Sequence, residues 1–228
     1  MTPARSEPTT RRKSRQTVQS NGCLSGFLLP PLVALCFGVL LAFVTIRSLE
    51  SESHASAAPS TANRVIAPLF TAEVQFWAAR IAVWSAEHGI DPNLAATVMQ
   101  IESCGNPSAR SVAGAAGLFQ VMPYHFQVNE DAYNPNTNAL RGLDYLRRSL
   151  ERANSDPRLA LAGYNGGIGV IGRSESLWAA ETRRYVYWGS GIYADAQQNA
   201  SESARLNEWL AAGGASLCKK AHQRLGLP

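Results

Sequence analysis

Three times along this chain a residue able to cap a helix stands directly before a proline: Asp91-Pro92, Asn134-Pro135 and Asp156-Pro157. The cap side chain accepts hydrogen bonds from the free N–H groups of a first helical turn. Proline is tolerated there because its missing N–H would be unpaired anyway. Each pair therefore predicts a helix start, and the apolar spacing that follows agrees. Pro92 opens a run with Leu94, Ala95, Val98, Met99 and Ile101. Asn134-Pro135 opens a helix to about Ala153 carrying Leu140, Leu143, Leu146 and Leu150, and Asp156-Pro157 opens one over Arg158 to Tyr164 that Gly166-Gly167 stops. Glu73 to His88 has a helical period of its own, ended by Gly89, and Glu181 to Tyr187 and Glu202 to Leu210 read as helical too. Gly213-Gly214 breaks the last pattern before a tail from Ser216 to Leu225. Strand signals are nearly absent, so the expected fold is mainly α.

Ahead of this helical part the chain changes character. No charged residue occurs from Gln16 to Ile46, and Phe27 to Ile46 is long enough for a bilayer, which takes about 20 apolar residues as a helix. Five basic residues precede the run (Arg5, Arg11, Arg12, Lys13, Arg15), and only Arg47 follows before Glu50 and Glu52. That bias keeps the N-terminus cytoplasmic and sends the rest across the membrane. A cleavable signal peptide is the rival, with Ala55-Ser56-Ala57 as a small-residue cleavage pattern, but the apolar run exceeds the roughly 7–15 residues of a signal core. The expected organisation is a basic tail over 1–26, a single transmembrane signal-anchor over 27–46, a Ser/Ala/Thr/Pro-rich flexible tether over 47–69, a catalytic domain over 70–200 and a C-terminal helical extension over 201–228.

The net charge of +4 does not point to nucleic acid. Residues 1–46 hold five basic groups and one acid, and residues 47–228 hold sixteen of each sign. The excess belongs to the tail, and the folded part exerts no overall pull on phosphates.

Cys104 and Cys218 are the only cysteines of the exported part. In an oxidising compartment such a pair favours a disulfide over a metal site, which would need two further ligands. No His-x-x-x-His or Cys-x-x-Cys spacing, P-loop or dinucleotide fingerprint is present, so no metal or cofactor is expected. A Cys104 nucleophile would need His125, since His54 lies in the tether and His88 at a helix end, and no signature joins the two. Among carboxylates, Asp91 and Asp156 are caps. Glu73, Glu87, Asp144, Glu151, Glu202 and Glu208 fit solvated helix faces, Glu130 and Asp131 share a polar loop, and Glu181 starts a helix. Glu102 alone stands among apolar neighbours, at the end of the Leu94–Ile101 run and before Gly105-Asn106-Pro107. Apolar surroundings disfavour its charged form and suit a general acid, although on local chemistry alone a glutamate bonded to backbone at a helix end is the simpler reading.

Four motifs occur in order. They are Glu102-Ser103 with Asn106-Pro107, Ser111 and Gly114; Gly117-Leu118-Phe119-Gln120-Val121-Met122-Pro123; Ala162-Gly163-Tyr164-Asn165-Gly166-Gly167; and Glu181-Thr182-Arg183-Arg184-Tyr185-Val186. Over residues 75–190 the chain resembles the lytic transglycosylases with a soluble-transglycosylase-type, lysozyme-like catalytic domain. The resemblance implies a bacterial enzyme with peptidoglycan glycan strands as its partner. With the apolar run and its flanking charge, the expectation is a single-pass protein of the bacterial cell membrane with its catalytic domain on the extracytoplasmic side. It implies cleavage of the β-1,4 bond between N-acetylmuramic acid and N-acetylglucosamine without water, the muramic 6-hydroxyl closing on C1 to leave 1,6-anhydro ends. Glu102 then matches the single acid/base, Ser111 a holder of the acetamido group, and Gln120 and Met122 a groove wall. Tyr164 and Asn165 match the opposite wall, and Tyr185 a tyrosine bonded to the acid. Phe119 and Met122 could equally be core.

The chain departs from the pattern at Cys104-Gly105, where relatives often carry an aromatic, over Arg173 to Ala180, and after Trp188. Two rival functions follow from other assignments. A hydrolytic muramidase on the same fold would need a water-activating base such as Asp131. A peptidoglycan-binding or assembly factor would keep the fold without turnover.

Overall fold

All three cap–proline pairs open helices in the computed structural model, which describes residues 65–228. The side chains of Asp91, Asn134 and Asp156 each accept from the N–H groups two and three residues on, at 2.8–3.2 Å. The helices are α1 Ala72–Gln75, α2 Ala78–His88, α3 Pro92–Ser103, α4 Pro135–Arg152, α5 Pro157–Gly166, α6 Ala180–Gln197, α7 Ala204–Trp209 and α8 Ala215–Leu225. Strand-like pairing among the described residues is limited to two isolated bridges, Arg110 with Ala116 and Ala116 with Val121. The mainly α expectation holds there. The expected tail, membrane anchor, cleavage pattern and most of the tether lie outside the described residues, and among the described residues no helix is long and apolar enough to cross a membrane.

Helix α3 sits at the centre. Every residue from Leu94 to Ile101 is buried, so it behaves as a helix apolar on all sides rather than on one face. Helices α2, α6 and α8 pack around it, and α5 lies between α4 and α6. The two polar side chains within this run have partners: Thr97 Oγ1 donates to the Asn93 carbonyl at 2.7 Å, and Gln100 Oε1 accepts from the Thr71 N–H at 3.2 Å.

Three boundaries differ from the sequence reading. The Glu73–His88 pattern is broken at Phe76-Trp77, because the Trp77 indole turns inward to donate to the Gly105 carbonyl at 2.8 Å, leaving Phe76 exposed. The packed domain begins before residue 70: Ile66, Ala67 and Leu69 are buried, and the Ala67 N–H donates to Asn93 Oδ1 at 2.8 Å. Helix α6 runs ten residues past Tyr187, where the helical reading ended, through Gly189 and Gly191. A side chain at Gly191 would run into Arg205, and one at Gly189 would press on Leu161 and Ile101, so these glycines serve close helix contact.

Candidate active site

Glu102 occupies the last turn of α3, and the backbone beyond it reverses sharply. Cys104 and Gly105 both take left-handed conformations, with φ of 52° and 78°. At Gly105 this is combined with a close approach, since a β-carbon there would lie 2.7 Å from the Glu73 carbonyl oxygen. Ser103 fixes the exit. Its hydroxyl donates to the Leu118 carbonyl at 2.7 Å and accepts from the Gly105 N–H at 3.1 Å, joining the end of α3 to the Gly117–Gln120 loop.

That loop is held by a residue the motif reading passed over. Asn138, wholly buried on α4, accepts from the Phe119 N–H at 2.8 Å and donates to the carbonyls of Ala116 and Ala132 at 2.7 and 2.9 Å. Gly117 lies against the same amide, with no room for a side chain. An asparagine on a helix with this composition looks like a surface residue; only the folded loop supplies its three backbone partners. The Tyr164 hydroxyl donates to the Phe119 carbonyl at 2.7 Å, and Gln120 Nε2 donates to the carbonyls of Gly117 and Ala109 at 3.0 and 3.2 Å. Phe119 itself is core.

Two neighbouring clefts take up the candidate site residues other than Ser111. Gln120, Met122, Tyr164 and Asn165 line one, together with His125 and Tyr145. Glu102, Asn165, Glu181, Arg184 and Tyr185 line the other, and Asn165 belongs to both. Ser111 lies in neither lining: its hydroxyl accepts from the Ala115 N–H at 2.9 Å within its own turn. Tyr145, which belongs to none of the four motifs, is an addition, edge-on to Tyr164 with ring centres 5.7 Å apart.

Burial dominates the electrostatics of Glu102. Loss of hydration pushes its carboxyl up to about 8, the Tyr185 hydroxyl pulls it partly back, and the negative charge of Glu181 raises it again. The Tyr185 hydroxyl has no hydrogen bond of normal geometry, so its contact with Glu102 is close but loose. Burial and the Glu102 charge raise both Tyr164 and Tyr185 well above the usual phenol range. His125 is lowered by burial and by the Arg148 charge.

Several other assignments change. Cys104 and Cys218 are bonded to one another, S–S 1.98 Å, as expected of the pair, and His125 lines the other cleft, so the rival Cys104 nucleophile has neither a free thiol nor a histidine beside it. Asp131 accepts from the Tyr133 N–H at 2.9 Å in its loop and lies outside the Glu102 lining; the carboxylate that does share that cleft is Glu181. Glu73 is not on a solvated face: it is buried beside the disulfide, and its Oε1 meets His222 Nδ1 at 2.9 Å. Glu130 is paired with Arg141, whose Nε donates at 2.8 Å.

Comparison with known proteins bears on residues 80–185, which match the family described as Transglycosylase SLT domain. Over 111 residues the chain is 38% identical to a protein named transglycosylase from Enterobacteria phage PRD1, covering 48% of this chain and 40% of that one. Over 148 residues it is 33% identical to membrane-bound lytic murein transglycosylase C of Glaesserella parasuis, covering 53% and 41%. The chain thus spans about two fifths of the length of these relatives. Among solved structures, an inactive mutant of the lytic transglycosylase Slt of Pseudomonas aeruginosa is similar at a TM-score of 0.44 and 23% identity, over 56% of this chain and 25% of that one.

Proposed function

We propose, from the transglycosylase SLT domain that residues 80–185 carry, that the protein is a lysozyme-like lytic transglycosylase acting on peptidoglycan. The observation that carries the reading is Glu102, a carboxyl held protonated to about pH 8 at the edge of a two-part cleft. As an acid it protonates the glycosidic oxygen between N-acetylmuramic acid and N-acetylglucosamine, and the C1–O bond breaks. As the resulting carboxylate it takes the proton of the muramic 6-hydroxyl while that oxygen bonds to C1, leaving a 1,6-anhydro end and restoring the acid. The neighbouring acetamido group assists at C1, so no second carboxylate is needed and no water enters. Gln120, Met122, Tyr164 and Asn165 hold the sugars, the Tyr185 hydroxyl beside Glu102 tunes its carboxyl, and Ser111, turned into its own loop outside both clefts, is not assigned the acetamido group. Anchoring of the N-terminus by residues 27–46, with the domain on the extracytoplasmic side, belongs to the same reading. It is supported by the apolar run, its flanking charge and the membrane-bound relative.

A digest of intact sacculi analysed by mass spectrometry tests it. The wild-type chain releases anhydromuramic ends, and Glu102→Gln lowers that release by about a thousandfold or more. Reducing muramic ends instead would reject the mechanism in favour of hydrolysis. Glu181, which shares the Glu102 cleft, is the base that such a muramidase would use.

A further inference from the structure

The family match stops at residue 185, and the cleft around Glu102 does not. Its remaining wall comes from the C-terminal extension, where Trp209 at the end of α7 and Ala212 in the following turn line the same cavity as Glu102 and Tyr185. We infer that this extension is part of the substrate cleft, forming the far wall of a compartment beyond Glu102 that takes a hexosamine unit of the glycan. The inference rests on the proposed peptidoglycan reading and adds to it the element that decides which stretch of strand fits.

The wall is built to stay in place. Trp209 is only 4% exposed, and it is stacked so closely on Gly214 that a β-carbon there would lie 2.4 Å from its ring. Between them, residues Leu210–Gly214 form a wide turn with Gly213 at φ 127°, a conformation suited to glycine. That turn brings the exposed Ala212 to the cavity while α8 runs back along α1. Helix α8 is then fastened to the protein at three points: the Cys218–Cys104 disulfide, the His222–Glu73 contact at 2.9 Å, and Arg224 Nε donating to Ser108 Oγ at 2.8 Å. One of these points, Cys104, is two residues from Glu102, so wall and acid are positioned from the same place. Asn165 and Arg184 line the same cavity, and their amide and guanidinium groups suit the hydroxyls and acetamido group of a hexosamine.

The test separates the wall from the chemistry. In full-length protein carrying Glu102→Gln, binding of a hexasaccharide of alternating N-acetylglucosamine and N-acetylmuramic acid is measured by calorimetry, with and without Ala212→Trp. Ala212 is exposed, so the indole fills the cavity rather than the core, and an unchanged melting temperature confirms the fold. The expected result is binding weakened by about tenfold or more by Ala212→Trp, with no change from Lys220→Trp, a control on an exposed position of α8. Equal affinity with and without Ala212→Trp overturns the inference, and wild-type release of anhydro ends would still stand. If Ala212→Trp weakens binding while the wild type cuts nothing, the wall stands and the catalytic reading falls. Absence of any binding by the Glu102→Gln parent overturns the inference as well.

Discussion

Glu102 and Asp144 carry the same functional group, and their surroundings push it in opposite directions. Asp144 lies beside Arg147, whose hydrogen bond and charge hold it below the usual carboxylate range. Glu102 has lost hydration without gaining a cation and stands at about 8. Its effect on stability follows. Below about pH 4.5 the carboxyl is neutral in both the folded and the unfolded chain, and burial costs little. As pH rises from there towards 8, the unfolded chain ionises while the fold keeps its proton, so stability falls; above 8 the loss is complete. Glu102→Gln should therefore stabilise the protein increasingly over that window, by on the order of a few kcal/mol at its upper end, discounted for the carboxyl's partial opening to the cleft. Denaturation at pH 4.5 and 8.0 checks this; equal gains at both would mean the carboxyl is not perturbed. The neighbours should tune the acid with opposite signs. Glu181→Gln removes a raising charge and moves the alkaline limb of kcat/KM to lower pH, while Tyr185→Phe removes a lowering contact and moves it higher, each by less than about one unit. Glu102 stood out in the sequence as the carboxylate among apolar neighbours. Glu181 did not, because a helix-start glutamate looks the same whether it faces solvent or a cleft.

At the level of elements, α3 and α8 are the informative pair. The first was legible from Asp91-Pro92 and its apolar run; the second lies within the C-terminal helical extension expected over 201–228, after the break at Gly213-Gly214. What joins them is the Cys104–Cys218 bond, spanning 114 residues. A link closing so long a loop removes much of the freedom of the unfolded chain. Cys218→Ser should cost about 4–5 kcal/mol in the chain-entropy model, read as a lower guanidinium midpoint. An unchanged midpoint would show that the His222–Glu73 contact and the packing of α8 suffice. Helix α6 shows the reverse case: the helical reading ended at Tyr187, and the second half runs on through Gly189 and Gly191, both poor helix formers. Helix propensity is local, whereas the gain from bringing α6 close to Leu161 and Arg205 is tertiary.

Over the whole molecule the sequence alone determined much. The capped prolines and periodic apolar runs fixed most helix starts, since capping and amphipathicity are written within a few residues of one another. The separation of charge, with the excess in residues 1–46 and sixteen groups of each sign beyond, gave no reason to expect phosphate binding. The ordered motifs located the candidate acid. The tertiary structure alone decided what each side chain faces. It placed Ser111 inside its own turn, buried Glu73 against His222, gave Asn138 its three backbone partners and set Trp209 and Ala212 beside Glu102. These contacts join residues far apart in the chain. Their chemistry depends on burial and distance, which the order of residues does not carry.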